Sequence, residues 1–376
     1  MHAVDPGHSI DALREEWDCL ADRAGASPFL RPGWFEAWEG AFGERVTVLD
    51  VREDGRLTGV LPVVARRGTP LSARALVSPS NWHTPVFGAI AESEAANEAL
   101  VAALLARRPA RIDMALVDAG DPVVASLRRE AERSGYRVVE RVAMRSPYVP
   151  LEGDFDSYRE GLPRKLRKEL GRLGRRLAEE GRVEYTFEDG SERLDELLEE
   201  GFYVEGSGWK SENGTAIASD PATRRFYTDV ARWAASRGTL VLAFLRLDGR
   251  PLAFDLCIED AGAFYVLKGG FETAYRRFGP GTLLAAESIE RAFSRGLRSY
   301  ELLGSDEPYK LVWTGSTHDR LRFQAFSPSP AGRVSHLAWT RGRSLAKRAA
   351  ARRRPGREAG ESGARAVKEP GTAAET

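Results

Sequence analysis

The sequence predicts an α/β fold of the α+β kind, arranged as two tandem copies of one unit. Each copy reads as a mixed, mostly antiparallel sheet flanked by helices. Three observations predict this. A hairpin pattern occurs twice, as VTVLDVREDGRLTGVLPVV over 46–64 and LVLAFLRLDGRPLAFDLCI over 240–258. Both copies pass through Arg-x-Asp-Gly-Arg, from Arg52 to Arg56 and from Arg246 to Arg250. The elements after each hairpin also share an order, a helical pattern followed by an apolar strand.

The elements follow from local chemistry. Asp-Gly between two apolar runs is the strongest short hairpin signal, because glycine accepts the positive φ of a tight turn. After the first hairpin come an irregular stretch with Asn81, Trp82 and His83, a helix near 92–106 and a strand over 112–117. After the second come a strand over 263–267, a helix near 282–295 and a strand over 299–303. Two helical patterns, 192–205 and 221–235, precede the second hairpin. The result is antiparallel strands feeding a βαβ crossover in each copy.

A length of 376 residues fits two domains. The boundaries read as 1–150 for a first, degenerate copy, 151–182 for a linker and 183–335 for the second copy. A basic tail over 341–376 completes the chain. In the linker, Leu162, Leu166, Leu170, Leu173 and Leu177 recur at helical spacing, with cations such as Arg164, Lys165, Arg167 and Lys168 between them. The stripe predicts an amphipathic helix packed by its leucines, with solvated cations. An anionic substrate or tRNA is the other use for that face. From Arg341 to Arg357 the tail carries eight Lys or Arg and no acid, and it has too few apolar groups to offset ordering, so it is expected to be disordered and solvated.

Composition removes several function classes. Lys plus Arg equals Asp plus Glu at 55 each, so no global field favours nucleic acid or an acidic membrane. Cys19 and Cys257 form no CxxC pair, and the five histidines show no metal-ligand spacing. No metal is expected. The N-terminal residues do not read as a signal peptide, and no apolar run approaches the roughly 18 residues of a membrane span. A cytoplasmic location is the expectation.

Chemistry concentrates in one loop. Arg276, Arg277, Phe278, Gly279, Pro280, Gly281 and Thr282 lie between a strand and a helix. A helix start leaves N–H groups unpaired at the positive end of the macrodipole, and glycines let backbone approach phosphate oxygens. Arg276 or Arg277 would add charge-assisted hydrogen bonds. The loop is therefore read as a pyrophosphate cradle, with backbone N–H groups of Gly279, Gly281 and Thr282 as donors. The first copy has no such loop, so only the second half is expected to bind a cofactor.

The hairpin, the following strand and the Arg-x-x-Gly-x-Gly loop opening a helix resemble motif A of the GNAT acyltransferases. More narrowly, about 158–313 resembles the acetyltransferase domain of CelD-like, cellulose-biosynthesis-type proteins. That likeness rests on Gly208-Trp209-Lys210, Asn213 to Ala216, Phe278 to Leu284 and Glu307 to Trp313. Two GNAT-like domains in one chain are distantly similar to the FemABX aminoacyltransferases. The resemblance implies acetyl-CoA or another acyl-CoA as co-substrate and an amine acceptor, such as an amino sugar or cell-envelope precursor. The Fem-like alternative implies aminoacyl-tRNA, and a third reading is a catalytically inactive GNAT-like scaffold.

Amide-forming acyl transfer needs a neutral amine, a polarised thioester carbonyl and a protonated leaving thiolate. Gly304 to Lys310 follow the strand over 299–303, where GNAT enzymes place acid and base groups. Asp306 or Glu307 could take the amine proton, and Tyr309 could donate to the leaving sulfur. Lys310 could stabilise the oxyanion, because Tyr309-Lys310 resembles the step that carries a catalytic lysine in Fem enzymes. Asp255, between Phe254 and Leu256, is a carboxylate on a half-buried strand that wants a partner. Trp209, Lys210 and Glu205 are expected to line the acceptor cleft, and His83 to be structural.

Overall fold

The computed structural model describes residues 3–4, 7–67, 74–207 and 217–352. The first half holds β1 (Ala3–Val4), α1 (Ile10–Arg23), α2 (Pro32–Phe42), β2 (Val46–Glu53), β3 (Arg56–Arg66), β4 (Ala75–Val77) and β5 (Ile90–Ala91). It continues with α3 (Glu94–Ala106), β6 (Arg111–Asp118), α4 (Pro122–Arg133) and β7 (Arg137–Pro150). Helices α5 (Phe155–Gly161) and α6 (Arg164–Ala178) join it to the second half. There follow β8 (Val183–Glu188), α7 (Leu194–Gly206), α8 (Pro221–Ser236), β9 (Leu240–Leu247), β10 (Arg250–Asp260) and β11 (Ala263–Phe271). The chain then forms α9 (Pro280–Ser294), β12 (Ser299–Glu301), α10 (Pro308–Leu311), β13 (Thr317–Phe326) and α11 (Pro330–Arg352).

The duplication reaches individual side chains. Strands β2, β3, β4 and β6 lie in the same spatial order as β9, β10, β11 and β12, antiparallel until a final parallel pair. The hairpin turns match, with φ of 50° and 80° at Asp54 and Gly55 against 49° and 80° at Asp248 and Gly249. Two positive φ values in succession are what a type I′ turn requires. Arg52 reaches back to Glu16 on α1 with two hydrogen bonds, and Arg246 does the same to Glu200 on α7.

The halves are not two separate sheets. One 13-stranded sheet runs β1-β2-β3-β4-β6-β13-β7-β12-β11-β10-β9-β8, with β5 beside β3. Strand β13 lies between β6 and β7, completing the first half, while the end of β7 pairs with β12 of the second. The boundary read at 183–335 therefore assigns β13 to the wrong sheet, because local pattern carries no record of which distant strand a segment pairs with. The core is shared as well. Trp34 of α2 packs edge-on against Phe226 of α8 at 5.1 Å, and Phe29 against Tyr265 at 5.1 Å.

The leucine stripe of α6 packs as its spacing predicts, with Leu173 and Leu177 buried against the second half. Its cations at Arg164, Lys165, Arg167 and Lys168 are exposed. The tail departs from expectation. Helix α11 continues through Arg352, anchored where His336 and Trp339 pack around Phe326. Residues 353–376 lie outside the described residues.

Candidate active site

A cleft of about 1080 Å³ opens where β11 and β12 part. These strands pair only from Ala263 to Tyr265 and from Ser299 to Glu301. Beyond that point Val266 to Gly270 line one wall and Leu302 to Gly304 the other. In the first half β4 and β6 also pair over three residues and then part. There the wedge is filled by the chain itself. Ser78 Oγ accepts from Ala115 N–H at 3.0 Å, Phe87 N–H donates to Leu116 O at 2.9 Å, and only about 10 Å³ of void remains behind Phe87. The first half is closed by its own sequence.

The helix starts differ in the same sense. Ser93 caps α3, its Oγ accepting from Ala96 N–H at 3.1 Å. Helix α9 starts after Gly279, at φ +58°, with no side-chain cap. A 3₁₀ turn, Thr273–Phe278, separates it from β11, so the strand does not feed the helix directly. The N–H groups of Thr282 and Gly279 are already used, donating to Gly279 O and Arg276 O at 3.0 Å each. Of the three expected donors, only Gly281 N–H has no intrachain acceptor among the described residues. Arg276 is exposed on the rim and has no ion-pair partner among the described residues, while Arg277 lies 3.5 Å from Glu180. Phe278 is 2% exposed and packs with Leu173 and Leu284, so it belongs to the core and not to a ligand contact.

Two consecutive glycines on β11 shape the inner wall. Gly269 lies opposite Asp255 of β10, and a β-carbon there would overlap Asp255 Oδ1. A β-carbon at Gly270 would come within 2.6 Å of the Glu205 Cα on α7. Both carboxylates line the cleft because these positions carry no side chain. Glu205 is 2% exposed, and its Oε2 accepts from Ile217 N–H at 2.8 Å. Its Oε1 lies 3.9 Å from Lys268 Nζ. Trp209 and Lys210 lie outside the described residues.

The turn after β12 separates the four polar residues expected there. Lys310 is buried, and its ammonium donates to Leu303 O at 2.8 Å and Ser305 O at 3.3 Å, with Glu307 Oε2 at 2.7 Å. It is occupied in holding a bend where Leu303 and Gly304 both have positive φ, 50° and 60°. Asp306 is exposed and does not line the cleft, whereas Glu307 and Tyr309 do. The Tyr309 pKa is raised by desolvation of its hydroxyl, by the charge and hydrogen bond of Glu307, and by the charge of Asp255. With the ring 65% exposed at the rim, the carboxylates are the firmer cause.

The first half contributes Trp82, His83, Thr84 and Pro85. His83, expected to be structural, is 6% exposed and contacts Tyr227 and Thr223 of α8. Burial and the nearby charge of Lys268 push its pKa down to about 4. Lys268 Nζ sits over the rings of Trp82 and Tyr227, at 5.2 and 5.7 Å. Tyr227 escapes a reading of the sequence because it sits among the apolar positions of its helix. Lys268 was detectable only as a cation beside two strand glycines.

Residues 164–311 match the family model described as an acetyltransferase (GNAT) domain. That segment, which runs from α6 through α10 and holds most of the cleft, is what the chain shares with GNAT acetyltransferase domains. Among solved structures, the chain is similar to FemX, with 12% identity, a TM-score of 0.57, and coverage of 82% of this chain and 95% of that one. It is also similar to the C-terminal domain of an Agrobacterium fabrum protein named for lysylphosphatidylglycerol synthesis, with 13% identity, a TM-score of 0.55, and coverage of 88% and 96%. These likenesses show the fold over 82–88% of the chain, which reaches well beyond the matched segment. No curated protein sequence matches the chain. Among the described residues there is no acidic, His or Cys group suited to a metal ion, and no helix long and apolar enough to cross a membrane.

Proposed function

We propose that the chain is an N-acyltransferase that moves an acyl group from acyl-CoA, with acetyl-CoA as the first donor to test, to a primary amine held in the cleft. An amino sugar or cell-envelope precursor is the acceptor class proposed. The observation that carries the donor reading is the contrast between the two helix starts. Helix α3 is capped by its own serine, whereas α9 opens at the cleft with an unused Gly281 amide and an exposed Arg276. A phosphate there would gain the helix dipole and a charge-assisted hydrogen bond.

When bound, acyl-CoA supplies an activated thioester carbonyl. The residues of the chain do the rest. Asp255 is proposed as the base that accepts the amine proton, since its carboxylate reaches the cleft past Gly269. Tyr309, protonated and beside Glu307, is proposed as the acid that returns a proton to the leaving sulfur. Lys310 is assigned a positioning role, because its donors already hold the turn that presents Tyr309. The two cysteines are free, which fits the reducing cytoplasm where acyl-CoA is found.

Calorimetry with acetyl-CoA, longer acyl-CoAs and a charged tRNA, followed by thiol release with an amine panel, tests this reading. The exposed cations of α6 and the fold shared with FemX favour aminoacyl-tRNA as the second reading. Tight tRNA binding without acyl-CoA binding would replace the first reading with the second. Asp255→Asn should bind acetyl-CoA normally and lose turnover.

A further inference from the structure

The contact between the halves that reaches into the cleft is a chain of four polar side chains. Asp220 caps α8, its Oδ2 accepting from Thr223 N–H at 2.9 Å and from the Thr223 hydroxyl at 2.6 Å. Thr223 Oγ1 lies 3.2 Å from His83 Nε2, and His83 Nδ1 lies 3.1 Å from the Tyr227 hydroxyl. A hydroxyl has a single proton. Thr223 gives its proton to the Asp220 carboxylate, which these same bonds hold ionised, with its pKa below the usual range. Thr223 Oγ1 can then only accept from His83, so Nε2 carries the imidazole proton and Nδ1 is a bare acceptor. Tyr227 must therefore spend its own proton on Nδ1.

We infer that His83, supplied by the first half, fixes the Tyr227 hydroxyl as an acceptor-only group in the cleft, and that this oxygen receives an N–H of the amine acceptor. The inference rests on the amine reading above and assigns that amine a subsite. Tyr227 is 2% exposed and lines the cleft, so the little of it that stays accessible opens on the ligand space. Glu205 and Lys268 flank it, one near enough to raise the Tyr227 pKa and the other over its ring. Burial and the Lys268 charge keep His83 neutral, which preserves Nδ1 as an acceptor against the opposing pull of Asp220. His83 is a positioning residue, and it gives the first half, whose own wedge is plugged, a part in the site.

Nitrogen-15 spectra of the full chain read the tautomer without any substrate. The expected result is a neutral Nε2–H imidazole at His83 from pH 5 to 8. An Nδ1–H tautomer, or titration near pH 6.5, overturns the inference. Kinetics with glucosamine, lysine and putrescine as amine probes at saturating acetyl-CoA supply the second arm. Tyr227→Phe should raise the KM of the best amine by about tenfold or more, with the acetyl-CoA Kd unchanged. His83→Ala should do the same, and His83→Gln, which keeps one acceptor and one donor, should recover most of the loss. Unchanged amine KM in a folded Tyr227→Phe protein overturns the subsite. If the parent acetylates none of the three amines, both this subsite and the amine reading fall, while acetyl-CoA calorimetry decides the donor reading separately.

Discussion

Asp255 and Gly269 face each other across the β10–β11 register, and the carboxylate occupies the space that a side chain at 269 would take. This relationship gives the first prediction. Gly269→Ala should displace the Asp255 carboxylate and lower kcat by about tenfold or more, since small misplacements of a reacting group are costly. The acetyl-CoA Kd and the melting temperature should change little. A fully active Gly269→Ala enzyme would remove Asp255 from the chemistry.

The donor end is tested at α9. Gly281→Val should weaken acetyl-CoA binding about tenfold, or 1.4 kcal/mol, because the new side chain crowds both the amide and Phe271, 3.3 Å from its β-carbon. Arg276→Ala should cost about 1.5–3 kcal/mol of binding, as expected for a hydrogen bond to a charged group. Both are read by calorimetry. Normal affinity in both folded variants would move the phosphate site elsewhere.

Lys310→Met is expected to act on stability. Removing an ammonium that satisfies Leu303 O and Ser305 O in a buried setting should cost about 1.5–3 kcal/mol, seen as a lower melting temperature. A variant with parental melting and a hundredfold lower kcat would show instead that the ammonium acts on the reacting atoms.

Tyr309→Phe should lower kcat by about 10²-fold with donor affinity intact. Because the neighbouring carboxylates raise the Tyr309 pKa, the parent should show no basic limb from this group until above the ordinary tyrosine range. A limb near pH 8 that vanishes in Tyr309→Phe would contradict the raised pKa.

Asp121 tests the pH dependence of stability. Its carboxyl caps α4 through Val123 N–H at 2.9 Å, and burial raises its pKa to about 6. The folded chain thus holds a proton that the unfolded chain releases near pH 4. The contribution of this group is full below about pH 4 and is lost as pH rises through 6. Asp121→Asn keeps a capping oxygen and should gain at most about 3 kcal/mol relative to the parent at pH 8, with little gain at pH 4. Equal gains at both pH values would separate the effect from ionisation.

Much of this was legible locally. The two Asp-Gly turns, the leucine stripe of α6 and the glycine-opened helix at Gly279 are written in short-range spacing, and the structure places them as the spacing implies. What could not be read depends on distance. Lys310 reads as a free cation until its partners, the carbonyls of a bend, are known. Phe278 sits inside the phosphate-loop motif, yet its ring belongs to the core. His83 and Tyr227 are 144 residues apart, and no local pattern links an irregular loop of one half to a helix face of the other. The same applies to β13, which no local pattern ties to its neighbours β6 and β7.

That strand also sets the order in which the protein can be made. The first half emerges from the ribosome with β6 and β7 but without the strand that separates them, and β13 is translated only after the whole of the segment 164–311. Until Phe326 is available, β6 and β7 lack their shared neighbour, which leaves two unpaired edges of the kind that recruit foreign strands. A ribosome-bound chain halted near residue 313 should therefore hold its first half open to protease and to chaperones, and closure of that half should wait for its last-made strand.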